Sequence, residues 1–465
     1  MVSQVSELMS TVVDNDYCIG CGICASFKNS PISMRIDENG KYIPYIKPEE
    51  LNELSDPVID VCPFSENNNV EDVIGQEVFG QQLDITYDKY SGYHLQAFAG
   101  YVLEEPYRKK GSSGGMGNWI AAKLLENNLV DGIIHVKPTE DPLFKYDVSN
   151  DVNELLKGSK SKYYPIELSE VLNFVRNNKG RYAIIGIPCY IKGVRLLEKQ
   201  DNILNERVKY HIGLVCGHLK SEMFAKSIGW QLDVKPQSLK AIDFRKKLPD
   251  RPANHYGVEV MGDVEGKESK VSSPTRDLYT TNWGYGFFKY NACEFCDDIL
   301  AETADITVGD AWLPEYSQDS LGTNVIVVRN SELKSLLEQY NGESIHLEKI
   351  SSDKVYDSQA GGFRHRRDGL SYRLYLKDKE NKWRPKKRVE PNNNLSRKRK
   401  LTYEHRSKLS MESFRGYRYA IEQGEFKYFI QYMEPFIKEY KKVIKPSLPK
   451  RAASKILREI RRIIK

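Results

Sequence analysis

No segment of the sequence approaches the roughly 18 consecutive apolar residues of a membrane-spanning helix, so a helical membrane protein is excluded at the outset. The opening stretch, MVSQVSELMSTVVDNDYC, has no basic region followed by an apolar one; no secretory signal is expected, and the cytoplasm is the expected compartment. The chain has no internal repeat, and its eight histidines fall into no nucleophile–base arrangement of the hydrolase type. Charge of one sign is also scarce: 69 basic against 64 acidic residues leave +5, which is low for a dedicated nucleic-acid binder. What the chain does have is 465 residues, 40% hydrophobic and 29% charged, the profile of a globular protein with two or three domains.

It also has eight cysteines, and in a reducing compartment these are expected as metal ligands or catalytic groups before disulfides. Cys18, Cys21 and Cys24 in CIGCGICASFKNS follow the C-x2-C-x2-C-x3-C-P run of bacterial ferredoxins, but Lys28 stands where the fourth cysteine belongs. In two-cluster ferredoxins that fourth cysteine serves the other cluster, so its loss fits the loss of one cluster. The ligand still required is expected from DVCPF, where Cys62 precedes Pro63. Residues 1–75 therefore read as a ferredoxin-type domain with one [4Fe–4S] cluster on Cys18, Cys21, Cys24 and Cys62. Gly20 and Gly22 allow the backbone N–H groups to turn toward the cluster. A zinc knuckle or a set of buried thiols is the alternative.

Cys189 and Cys216 each follow an apolar run (YAIIGIPCY, YHIGLVCG), and each precedes a helix-like segment, IKGVRLLEK and SEMFAKSIGW. In an open α/β sheet, ligands collect at the carboxyl ends of strands, so these two cysteines can share a site. Cys293 and Cys296 form a C-x2-C. Spacing alone leaves two readings open: a second cluster, or a redox C-x2-C with two core cysteines.

Between about 95 and 345, apolar runs alternate with amphipathic stretches, as an α/β core requires. FAGYVLEE, GIIHV, YAIIGIP, YHIGLVC, ADITVGD and NVIVVRN are the expected strands; GNWIAAKLLENNL and LSEVLNFVRNN are the clearest helices. In KKGSSGGMGNW, Ser112, Ser113, Gly114 and Gly115 lead into a helix whose N-terminus favours an anion such as a pyrophosphate. The stretch carries neither the dinucleotide fingerprint nor a P-loop, and a well-capped turn explains it equally. Gly158, Ser159 and Lys160, with Tyr163 nearby, offer a similar surface; Asp310 ends a strand just after the C-x2-C, where it could orient a cofactor or cap a turn.

With these blocks assembled, the chain resembles the β-subunit family of coenzyme F420 hydrogenases and dehydrogenases. GSSGGMGNWIAAKLLENNLVDGII, GSKSKYYPI, IIGIPCYIKGVRLL, LVCGHLKSE and ACEFCDDILAETADITVGDAW occur in family order. The resemblance implies a mixed α/β flavoprotein core, with an N-terminal-type region at 95–175 and a C-terminal-type region at 176–350. It implies FAD held by Ser112, Ser113, Gly114, Gly115, Gly158, Ser159, Lys160 and Asp310. It also implies a second [4Fe–4S] cluster on Cys189, Cys216, Cys293 and Cys296. The function it implies is an oxidoreductase passing electrons between a ferredoxin-like partner or partner subunit, two clusters, FAD, and a small-molecule substrate or deazaflavin. Tailed relatives in capsule-forming bacteria add a reductive step in surface-glycan synthesis to the expectations.

Residues 365–465 lie outside that pattern and read as a basic, largely helical extension, with RPKKR at 384–388 and SRKRK at 396–400. Its charge and tyrosines motivate the alternative of a nucleic-acid binder with structural clusters; a non-catalytic electron-transfer subunit is another. The final RAASKILREIRRIIK sets Ile456, Leu457, Ile460, Ile463 and Ile464 on one helical face between basic residues, suited to peripheral contact with an anionic membrane or to docking on protein.

Overall fold

The computed structural model describes residues 3–28, 30–50 and 57–445. Two compact units result: one comprises the residues up to Asn282 together with Phe288–Asn393, the other Trp283–Phe287 and the residues from Asn394 on.

The first unit begins with two small antiparallel pairs, β1 (Ser33–Ile36) with β2 (Tyr42–Tyr45) and β3 (Thr86–Asp88) with β4 (Gly92–His94). Next come β5 (Gln96–Val102), β6 (Gly132–Pro138), β7 (Phe144–Ser149), β8 (Tyr182–Gly186) and β9 (Val208–Leu214). A separate antiparallel meander follows, β10 (Leu239–Lys246), β11 (Gly257–Val264) and β12 (Lys267–Pro274), and then β13 (Ile306–Asp310), β14 (Asn324–Val328) and β15 (Ile345–Ile350). The large sheet has the order β15-β5-β14-β13-β9-β8-β6-β7. β5, β6, β8, β9 and β13 point one way, and β7, β14 and β15 oppose them. The fold is thus mixed α/β around one central sheet.

Apolar runs fill this sheet because both faces are covered. In β14, Val325 and Val327 enter one core with Ala97, Ala99, Leu300 and Phe363. The alternate residues Ile326 and Val328 enter the other core with Phe98, Trp119 and Ile120. Successive side chains of a strand point to opposite faces, so every position of NVIVV is buried. All six expected strands occur, and the two expected helices run Met116–Glu126 and Ser169–Asn177. The carboxyl ends of β5, β8, β9 and β13 lie along one edge of the sheet; Cys189 and Cys216 follow β8 and β9, and Asp310 ends β13.

Residues 365–393 belong to the first unit. Arg366, Arg373 and Lys387 are buried there, with Arg388 nearly so, because buried carboxylates and backbone carbonyls receive their charges. The second unit is a helical hairpin, Arg397–Gln423 and Lys427–Ile444, turned at Gly424 (φ +76°). Gly416 lets Tyr432 and Phe429 close on the first helix, and Phe287 meets Phe429 edge-on at 5.6 Å. The basic helix expected in 451–465 lies outside the described residues. Among those described, no helix is long and apolar enough to cross a membrane.

Candidate metal centres and glycine–serine site

Cys18, Cys21, Cys24 and Cys62 border a single cavity walled by apolar residues such as Val12, Ile23 and Pro63. The loop reaches this shape through Gly20 (φ +66°) and Gly22 (φ +76°). A Cβ on Gly20 would stand 2.5 Å from the Tyr42 carbonyl oxygen, and one on Gly22 2.2 Å from Glu167 Oε2. The Gly20 N–H donates to Cys18 Sγ at 3.3 Å, the inward-turned amide expected of a loop around an anionic centre.

Burial pushes the Cys18 thiol up to about 12 and Cys62 to about 11, and lifts Cys21 and Cys24 well above the ordinary thiol range. For Cys18, Cys21 and Cys24, neighbouring cysteines of the set add to the rise. Four thiols that cannot ionise in water-poor surroundings become good ligands once a shared cationic centre replaces their protons. Among the described residues no group of three or more Cys, His, Asp or Glu is placed to hold a single metal ion. The four sulphurs ring a void instead, a donor set that fits a polynuclear iron–sulfur cluster.

The second quartet gathers at the strand ends. Cys189 lies in the first turn of the helix Pro188–Glu198, directly after β8, where unsatisfied N–H groups favour negative charge. Cys216 follows β9, and its N–H is fixed on the Ile299 carbonyl at 3.1 Å. Cys293 sits in the short helix Asn291–Phe295, and Cys296 closes it. The Leu219 N–H donates to Cys293 Sγ at 3.2 Å. The four are close enough that, after burial, the charges of Cys296, Cys216 and Cys293 are what raise Cys189 most. Burial takes Cys216 to about 12 and Cys293 to about 11.

Arg366, whose guanidinium donates to the Gly217 carbonyl at 2.5 Å, is 2% exposed. Burial alone would lower its pKa, yet the sulphurs of Cys296, Cys216 and Cys293 hold it raised. Sequence reading missed it, since RHRR reads as surface. The two quartets are neighbours: Cys21 acts electrostatically on Cys189, and Gly193 in the helix Pro188–Glu198 leaves room for Ile23 of the first loop, whose Cδ1 lies 2.5 Å from where a Cβ would be.

Two of the expected residues, Ser112 and Asp310, meet at a residue that the sequence did not reveal, Arg245 of β10. Its guanidinium pairs with both Asp310 oxygens at 3.0 and 3.2 Å, and donates to the Ser112 carbonyl and the Tyr163 hydroxyl at 3.4 Å each. It stacks 4.2 Å from the Tyr256 ring centroid. Arg245 Nε is buried with no hydrogen-bond partner. Ser112 Oγ accepts from the Ser161 N–H at 2.8 Å, and Ser159 Oγ from Asn118 Nδ2 at 2.9 Å. Lys160 pairs with Asp243. Three of the expected residues face the protein. Ser113 Oγ donates to the Thr323 carbonyl at 3.0 Å. A Cβ on Gly114 would meet Asn324 Oδ1 at 2.7 Å, and one on Gly158 would meet His135 Cε1 at 2.4 Å. Gly115 (φ +88°) turns the chain into the helix Met116–Glu126, whose first N–H, that of Met116, donates to Asn324 Oδ1 at 3.1 Å.

Residues 97–173 match the coenzyme F420 hydrogenase/dehydrogenase beta subunit N-terminal region, and residues 179–353 match its C-terminal region. A coenzyme F420-dependent sulfite reductase of Methanocaldococcus jannaschii is 23% identical over 364 residues, 74% of this chain and 49% of that protein. An uncharacterized protein of the same organism is 25% identical over 230 residues, 49% of this chain and 77% of its own. A chain of the F420-reducing [NiFe] hydrogenase complex of Methanosarcina barkeri superposes with a TM-score of 0.48 at 17% identity, covering 64% of this chain and 98% of that one. The chain spans about half the length of the sulfite reductase it matches. Ordered loops, strand-end cysteines and both matched regions, together more than half of the sequence, place the chain in the coenzyme F420 hydrogenase/dehydrogenase beta-subunit family.

Proposed function

We propose that the chain is an iron–sulfur flavoprotein oxidoreductase with two [4Fe–4S] clusters and one FAD. The observation that carries this reading is the division of all eight cysteines into two adjacent quartets, each of one buried and three half-buried residues, with no disulfide among them. Cys18, Cys21, Cys24 and Cys62 would hold one cluster; Cys189, Cys216, Cys293 and Cys296 would hold the other. The Gly20 and Leu219 N–H groups donate to ligand sulphur, apolar residues wall the first cavity, and Arg366 would offset the negative charge of the second quartet.

FAD would lie beside Ser112 and Ser159, with the cations of Arg245 and Lys160 nearby; the unpartnered Arg245 Nε is the donor that suits a bound acceptor. When bound, FAD would supply the exchange between single-electron and two-electron chemistry. Arg245, Tyr163 and Asp310 would orient it. The substrate class that family membership favours is deazaflavin, since the sulfite reductase relative depends on coenzyme F420. A role as one subunit of a larger assembly belongs to this reading, with a ferredoxin-like protein or a catalytic subunit as the partner.

The test is anaerobic purification followed by iron and flavin analysis. About eight irons and about one FAD per chain are expected. A fully loaded preparation with about four irons removes one cluster, and one without flavin absorbance removes the flavoprotein assignment.

A further inference from the structure

A strap of chain, Trp383–Arg388, laces across both cysteine loops. At its start the Trp383 ring packs on Tyr17 at 5.4 Å, and the Tyr17 hydroxyl donates to the Trp383 carbonyl at 3.3 Å. Tyr17 directly precedes Cys18, and its ring meets Phe295, which directly precedes Cys296, edge-on at 4.9 Å. At the end of the strap, the Arg388 N–H donates to Asp297 Oδ2 at 3.2 Å, and its guanidinium grips Glu302 at 2.6 Å and Asp72 at 2.8 Å.

Between these anchors lies Lys387, with a side chain only 3% exposed. On one side its Nζ is 3.5 Å from Asp297 Oδ1, and Asp297 directly follows Cys296. On the other side it stands 4.3 Å from the centroid of Phe64, two residues after Cys62. One cation thus touches the immediate flank of both quartets. Electrostatics agree with the geometry. Against the burial that raises Cys62, the Phe64 and Ser65 N–H groups and then Lys387 pull it down. Burial would lower the Lys387 ammonium, yet Asp297, Glu71 and the Cys296 sulphur hold it raised.

Enclosing a lysine is costly unless its charge is used. A cluster on four thiolates is anionic, and each added electron increases that charge, so a nearby fixed cation favours the reduced state.

We propose that Lys387 is a positioning cation shared by the two cysteine quartets, raising the reduction potential of both clusters they hold. This rests on the reading of the quartets as cluster sites. Removing the ammonium also takes away one of the two cations at the Asp297 carboxylate, the other being Arg388 at 3.8 Å, so both effects act in one direction.

The test uses full-length K387Q and K387R, loaded anaerobically, with iron analysis and a redox titration followed by electron paramagnetic resonance. In K387Q the midpoint potentials of both clusters should become more negative at unchanged iron content, and in K387R both should stay near wild type. D297N supplies a second readout of opposite sign: both potentials should rise. Unchanged potentials in an iron-replete K387Q, or a shift of one cluster alone, overturns the proposal. If K387Q loses iron, D297N decides in the same way. A wild-type protein that binds only about four irons fails at the iron assay, which brings down the cluster reading and this proposal with it.

Discussion

Asp305 stands just before β13, at the amino end of the strand whose carboxyl end faces the site. Its Oδ2 accepts from the His211 N–H at 2.7 Å, from Arg195 at 3.0 Å and from the His211 ring at 3.3 Å. Burial alone would raise this carboxyl, but Arg195 and His211 outweigh it and hold it down to about 2. A carboxyl depressed in the folded state stabilises it above the unfolded pKa, and that stability is lost as pH falls through the folded value. Asp305 should therefore contribute about 2 kcal/mol at neutral pH, lost as pH falls from the ordinary aspartate value of 3.8 to about 2. Asp305→Asn should lose that acid limb in denaturant titrations while iron content stays unchanged. Arg245 is the opposite case, a residue at the proposed flavin site. Arg245→Gln should weaken FAD binding roughly tenfold or more, the scale of a lost charge-assisted hydrogen bond, with iron unaffected; flavin fluorescence on titration reads this. Retained flavin affinity would remove Arg245 from the site. The cysteines and the loop glycines were legible because thiol spacing and a required positive φ leave marks in sequence. Arg245 and Arg366 were not, because an isolated arginine in FRKKLP or RHRR looks the same whether it faces solvent or a buried acid.

At the scale of elements, legibility followed burial. β5, β8, β9, β13 and β14 read directly because a strand covered on both faces must be apolar at nearly every position. β12, KESKVSSP, escaped because most of its residues are exposed or half-buried, so no apolar period exists. The edge strand β15 escaped too, as its buried Ile345, Leu347 and Ile350 are interleaved with exposed polar residues. The strap at 384–388 read as a basic run belonging to a tail, and only tertiary structure turns Lys387 and Arg388 inward. That burial weakens the nucleic-acid alternative, since those two charges are committed to internal carboxylates. The helix Pro188–Glu198 is the element that binds the two quartets together, carrying Cys189 in its first turn and lying against Ile23 at Gly193. Gly193→Val should overpack this contact, at a cost of ~1–3 kcal/mol, and push the loop of Cys18–Cys24 outward. Iron per chain should fall toward half while far-ultraviolet circular dichroism stays at wild-type strength. Full iron in that variant would show that the first cluster site does not depend on the helix.

At the scale of the whole chain, all eight cysteines fall in the first compact unit and none in the second. The second draws its cohesion from aromatic packing, with Phe429 and Tyr440 buried and Tyr285 meeting Tyr440 edge-on at 6.0 Å. A ligand that binds only the folded state stabilises the part of the fold that supplies its ligands. Iron removal should therefore act unevenly along the chain. On the proposed reading, removing the clusters would leave each quartet as unligated thiols, and the loops would lose a common tether. Hydrogen exchange on iron-replete and chelator-stripped protein should show protection falling in three segments: 17–27, 57–66 and 288–300. The helices Arg397–Gln423 and Lys427–Ile444 should exchange at the same rate in both, because no thiol ties them to iron. Equal loss of protection in the hairpin would mean that the two units unfold as one, whereas no loss in the cysteine loops would mean that iron is not held there. The sequence signature of the extension, rich in tyrosine and lysine but empty of cysteine, is consistent with that division: packed rings hold the hairpin, and the proposed clusters would tether only the first unit.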